Sequence, residues 1–219
     1  MTNTTTPGAA YASYISALRA AEVFTDPDLN AAAIGRRKAE MIRAAKAAFI
    51  AATPELPAVT QTPASVLAAL APQTADDVAK FAREREKVAA LRDAGQGLEA
   101  IMSAADARRV AAILDDADVV GATDPAEAER IRELSFARLV ALGTPDAVTA
   151  EAEATALAKA EAWRAVFEEG VSGDVGVASR TAVYGADEDD YSRAFSNDGQ
   201  PSLNWANVNR IEALNPAQA

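Results

Sequence analysis

From the N-terminus to Gly170, apolar positions recur at three- and four-residue spacing, and proline and glycine cut that pattern into helical segments. Tyr11, Tyr14, Ile15 and Leu18 define a short helix from about Ala9. Asp26-Pro27 supplies a cap and a first-turn residue for a second helix reaching about Ala52, with Ile34, Met41, Ile42, Ala45 and Phe49 as its stripe. Pro54, Pro57 and Pro63 then interrupt regular structure. Thr62-Pro63 opens a short helix, and Thr74 with Asp77 three residues on opens a longer one that stops at Gly95 and Gly97. Leu98 to Ile113 reads as a further amphipathic helix closed by Gly121. Asp124-Pro125-Ala126-Glu127 starts a helix ending at Gly143, whose last part, Leu134 to Leu142, is apolar on several sides and is the candidate for the most buried segment. Thr144-Pro145 begins the last long helix, carrying Trp163, Val166 and Phe167 before a stop at Gly170.

Beyond Gly170 the helical period is lost. Glycines 173, 176, 185 and 199 alternate with Asn and Asp, a turn of helix is suggested only near Trp205 to Leu214, and Val175, Val177, Thr181, Val183 and Tyr184 suggest one or two short strands. The expected fold is therefore all-α: a helical bundle with an N-terminal helical hairpin and a long extended C-terminal arm. The expected divisions are a polar lead over 1–8, the hairpin over 9–52, a proline-rich linker over 53–63, the bundle over 64–170 and the arm over 171–219.

Composition narrows the chemistry. The 219 residues include no cysteine and no histidine, which removes disulfides, thiolate nucleophiles, imidazole bases and the common zinc sites. Alanine is abundant and aromatics are 5 % of the chain, so the core is made of small pieces and modest stability is expected of a free monomer. The formal charge of −11 disfavours sequence-specific nucleic-acid contact and anionic membranes. Residues 1–50 carry six basic and four acidic side chains, whereas the remainder carries 15 and 28, an asymmetry that lets copies attract one another. No apolar stretch long enough to span a bilayer escapes charge, and the N-terminal residues lack a secretory pattern, so cytosolic synthesis is expected.

Several motifs invite a functional reading and support a bland one better. Gly170 to Gly176 resembles a phosphate loop only in its glycines, since no Lys-Ser/Thr follows. Asp115, Asp116 and Asp118, and the run Asp187-Glu188-Asp189-Asp190, could gather a cation, but neither matches an EF-hand and each reads as a solvated face or a pairing surface for a basic neighbour. Arg36, Arg37, Lys38, Arg43 and Lys46 form no single basic stripe along a regular helix. No catalytic residue, metal ligand or cofactor is assigned.

The rings of the tail carry more information. Tyr184, Tyr191, Phe195 and Trp205 stand among polar residues, and each large ring gains by being buried. Either they dock on another molecule or the tail folds back over its own bundle; the length of the tail favours the first. Docking would make these four rings, with Asp187, Glu188, Asp189 and Asp190 setting register, the partner-binding residues.

Arg109-Val-Ala-Ala-Ile-Leu-Asp-Asp-Ala117 is similar to the first core helix of head-to-tail connector adaptors of tailed phages infecting high-GC bacteria, and Gly176 to Tyr184, leading to an extended end, resembles their C-terminal arms. The resemblance implies a ring of subunits between portal and tail. On this reading the chain is a non-enzymatic structural protein of a virion, made in the bacterial cytoplasm, whose partners are its own copies and neighbouring virion proteins. A capsid scaffolding or minor head protein and a soluble helical binding or regulatory module are the alternatives.

Overall fold

The computed structural model describes residues 5–120, 122, 124–196 and 202–213. Eleven α-helices account for most of them, and no strand occurs among the described residues. They are α1 (Pro7–Val23), α2 (Ala31–Ala51), α3 (Pro63–Ala68), α4 (Ala75–Asp93), α5 (Leu98–Ser103), α6 (Ala107–Asp115), α7 (Pro125–Ala141), α8 (Pro145–Ser172), α9 (Val177–Ala186), α10 (Glu188–Phe195) and α11 (Trp205–Ala213), with a 3-10 turn at Ala117–Val120. The all-α class is as expected.

Local chemistry explains most of the starts. Thr62 and Thr74 form capping boxes with Ser65 and Asp77, and the Asp124 carboxylate accepts the amides of Ala126 and Glu127 at the head of α7. Asp26 does not cap α2: its side chain accepts the amide of Asp28 in a turn, and Asn30 is the cap. The expected helix from Leu98 is two helices, with Asp106 capping the second. Gly95 and Gly143, at φ +85° and +70°, take the left-handed conformation that follows α4 and α7.

The chain forms two compact units, one from residues 1–56 and 157–219 and one from residues 57–156. A hairpin, a linker and a bundle in series do not describe this arrangement, because the second half of α8 and the C-terminal helices share a core with α1 and α2.

The first unit is built on aromatic rings. Phe49 lies between Tyr14 and Phe167, nearly parallel to both, with centroids 4.3 and 4.1 Å away. Gly170 does not stop α8. A Cβ there would lie 3.3 Å from ring carbons of Phe49 and Tyr11, so the glycine marks where α8 admits the rings of α1 and α2. The second unit has an aliphatic core in which Val88, Ile101, Val110, Ile113 and Leu139 are fully buried. The expectation for Leu134 to Leu142 holds only in part there, since Leu139 is buried but Leu142 is 40 % exposed.

Four carboxylates brace the units, each from within its own unit. Asp77 is held below the usual carboxylate range by the Thr74 hydroxyl, and Glu84 by hydrogen bonds first from Lys87 and then from Arg109. Glu153 is lowered by the amide of Gln61 and by Thr60, which fastens the proline-rich segment to α8 within the second unit. In the first unit Glu169 is lowered by the Ser179 hydroxyl and the Gly176 amide at the head of α9. Each group releases its proton at lower pH in the folded chain than in the unfolded one. Their stabilisation is complete above the unfolded value of about 4 and is lost as pH falls through the folded values. The urea midpoint followed by circular dichroism is expected to fall below about pH 5, and Glu153→Gln, which leaves one fewer such group, should make the fall shallower.

Candidate functional site

The extended arm expected over 171–219 is not what the described residues form. Residues 177–186, 188–195 and 205–213 are helical, and the strands suggested by Val175, Val177, Thr181, Val183 and Tyr184 are absent among them. The physical reason is tertiary: Ser179 and Val183, four residues apart, are the buried face of α9, and Val208 and Ile211 are that of α11. The proposed turn near Trp205 to Leu214 is α11, with Leu214 outside the described residues.

The acidic run separates into two roles. Asp187 is 9 % exposed; its Oδ2 accepts the indole N–H of Trp163 at 3.1 Å and pairs with Lys159 at 2.8 Å. Asp190 is 4 % exposed and accepts from the Gly8 amide, the Thr6 hydroxyl and Arg193, each at 2.6 Å. It places negative charge at the positive end of α1. Glu188 and Asp189 stand exposed in the first turn of α10. Register-setting toward a partner is thus unavailable to Asp187 and Asp190, whose bonds lie within the chain.

The four rings divide similarly. Tyr191 contacts Phe195 at 4.9 Å, Phe195 reaches Tyr11 at 5.0 Å and Trp163 at 6.3 Å, and Trp205 faces Tyr14 at 6.4 Å. These three are partly buried against the first unit's own core. Docking on a partner is corrected to folding back, because the rings of α1 and α8 provide the apolar surface they cover. Tyr184 differs, being 51 % exposed; its ring makes a T-shaped contact with that of Tyr191, and its hydroxyl donates to Glu188 at 3.4 Å.

Where α1, α9, α10 and α11 meet, they leave an open cavity of about 380 Å³ within the first unit. Arg19, Arg180 and Arg193 line it with Asp174, Phe195 and Trp205. Arg180 bonds Asp174 at 2.7 Å and lays its guanidinium over the Phe195 ring, 5.4 Å from the centroid. The Tyr11 hydroxyl at the cavity wall is pushed up to about 12 by burial, an effect opposed by the charges of Arg180 and Arg19 and reinforced by Asp174. Those charges therefore converge around one phenol. Sequence reading missed this cluster because its arginines lie far apart in the chain, in segments with no local basic excess.

The remaining motifs are structural. Asp115 and Asp116 pair with Arg85 at 2.5 and 3.8 Å, whereas the side chain of Asp118 lies outside the described residues. Arg37 pairs with Glu40, and Lys38 donates to the carbonyl of Glu22. Among the described residues no three acidic side chains are grouped to hold a metal ion, and no helix is long and apolar enough to cross a membrane. A second cavity, of about 450 Å³ in the other unit, is lined mainly by Ala and Leu side chains of α3 and α6.

The fold and the cavity define an all-α protein with an arginine- and ring-lined recess in one of its two units. Comparisons with protein-family models, with curated proteins and with solved structures find no match to this chain.

Proposed function

We propose that the chain is a non-enzymatic structural subunit that associates with copies of itself through the outer face of α9. The observation that carries this reading is the chemistry of that face. Val177, Ala178, Thr181, Ala182, Tyr184 and Gly185 are all exposed, and none is charged. Arg180, the one charged residue of the helix, belongs to the cavity instead. On a chain carrying −11, a charge-free patch lets like-charged copies approach without direct repulsion. Its small side chains admit a second helix closely, and Tyr184 supplies the large ring for such a contact. This replaces the clamping arm of the sequence reading with a helix face.

A phage particle is the proposed setting, with a head-to-tail connector as the component and neighbouring virion proteins as the further partners. The likeness of Arg109 to Ala117 favours it. The likeness of Gly176 to Tyr184 to an outstretched arm gives no further support, since that segment is α9. Light scattering across a concentration series tests the association. The intact chain is expected at a multiple of the single-chain mass, and Ala182→Glu at the single-chain mass with unchanged circular dichroism. An intact chain that keeps the single-chain mass at every concentration would overturn the proposal. The soluble binding-module reading is the alternative, and the ring-lined cavity is the observation that favours it.

A further inference from the structure

We propose that the cavity of the first unit binds a monoanionic carboxylate carried on a flat apolar ring, an occupant distinct from the partner of the α9 face.

The polar walls select the anion. Arginines line the cavity from three different helices, Arg19 from α1, Arg180 from α9 and Arg193 from α10. Arginine is suited to the task because its planar fork meets a carboxylate in two parallel hydrogen bonds. Carboxylates already stand beside these cations, among them Asp174 on Arg180 and Asp190 on Arg193. They repel a dianion more strongly than a monoanion, so a single carboxylate suits the recess better than a phosphate.

The apolar part of the ligand follows from the other walls. Tyr11, Phe195 and Trp205 border the recess, and Phe195 already carries the Arg180 guanidinium. A ring entering there meets both aromatic surface and cations, the combination that holds an aromatic acid. The volume of about 380 Å³ lies at the lower end of the range for small-molecule sites. Asp174, 70 % exposed at the rim, is the opposing charge and gives the proposal a directional test.

A free aromatic acid and a peptide ending in an aromatic residue present the same chemistry, so phenylacetate and Gly-Gly-Phe are the two probes. Calorimetry on the full chain should show saturable binding of at least one, and the tighter identifies the source. Phenyl phosphate should bind more weakly than the better carboxylate, and phenylacetamide should not bind measurably. Arg180→Gln should weaken the carboxylate about tenfold, and Asp174→Asn should tighten it about threefold, an increase that damage to the fold would not produce. In proton NMR the Trp205 indole signal should move on titration, while that of Trp163, fully buried and bonded to Asp187, should move far less. The proposal is overturned if neither probe saturates, if phenyl phosphate or the amide binds as well as the carboxylate, or if both substitutions leave affinity unchanged. Because oligomeric mass is not read in this experiment, its failure leaves the α9 association standing, and the reverse.

Discussion

Asp190→Ala is expected to destabilise the first unit by about 2–3 kcal/mol, the cost of leaving a buried donor without its charged acceptor. The carboxylate is 4 % exposed and holds the Gly8 amide, the Thr6 hydroxyl and Arg193 at once. Its loss leaves the first turn of α1 with a buried amide lacking an acceptor. Gly8→Ala attacks the same junction sterically. A Cβ at Gly8 would lie 2.7 Å from the Asp190 carboxyl carbon and closer still to the Asp190 carbonyl oxygen, so α10 would have to move off α1. Asp190→Asn keeps an acceptor and should cost less than the alanine variant. Both tryptophans, Trp163 and Trp205, belong to the first unit, so their fluorescence during urea unfolding reports that unit alone. A loss below about 1 kcal/mol for Asp190→Ala, the scale of an ordinary surface change, would show that this junction does not hold the unit together.

Phe49→Ala carries the other large expectation, about 3–5 kcal/mol by the same measurement, with the value rising as the cavity fails to collapse. Phe49 is 2 % exposed and is held face to face between Tyr14 and Phe167, so its removal opens a void between those two rings. The adjacent Tyr14→Phe should behave oppositely. The Tyr14 hydroxyl is buried without a hydrogen-bond partner among the described residues, and burial, with the charge of Glu212 adding to it, raises its proton affinity. Deleting that oxygen keeps the stack and removes an unmet polar group, so stability should be unchanged or higher by about 1 kcal/mol. The contrast separates the ring's contribution from the hydroxyl's.

What could be read from the sequence was mostly local. The caps at Thr62, Thr74 and Asp124 act within three residues, so their spacing was visible. Of the helices after α8, α11 showed only as a turn near Trp205 and α9 and α10 did not show, since all three have ten residues or fewer. Such segments have little helicity of their own and acquire it by packing. Val177 and Val183 looked like strand residues, yet only Val183 faces the core, and Val177 is 81 % exposed. Gly170 looked like a stop because glycine costs a helix about 1 kcal/mol, but there the missing Cβ makes room for Phe49 and Tyr11. The rings of the tail did signal burial. Their destination depended on a contact between Gly8 and Asp190, at opposite ends of the chain, which no periodicity encodes.

The central claim is that α9, α10 and α11 belong to the fold of the first unit. Native-state hydrogen exchange on the intact chain tests it directly. The amides of α9 and α10 and the amide of Gly8 should open together with those of α1 and the second half of α8, as one slow cooperative group. Rapid exchange across α9 and α10 beside a protected α1 would contradict the account, because Asp190 could not then be holding the head of that helix.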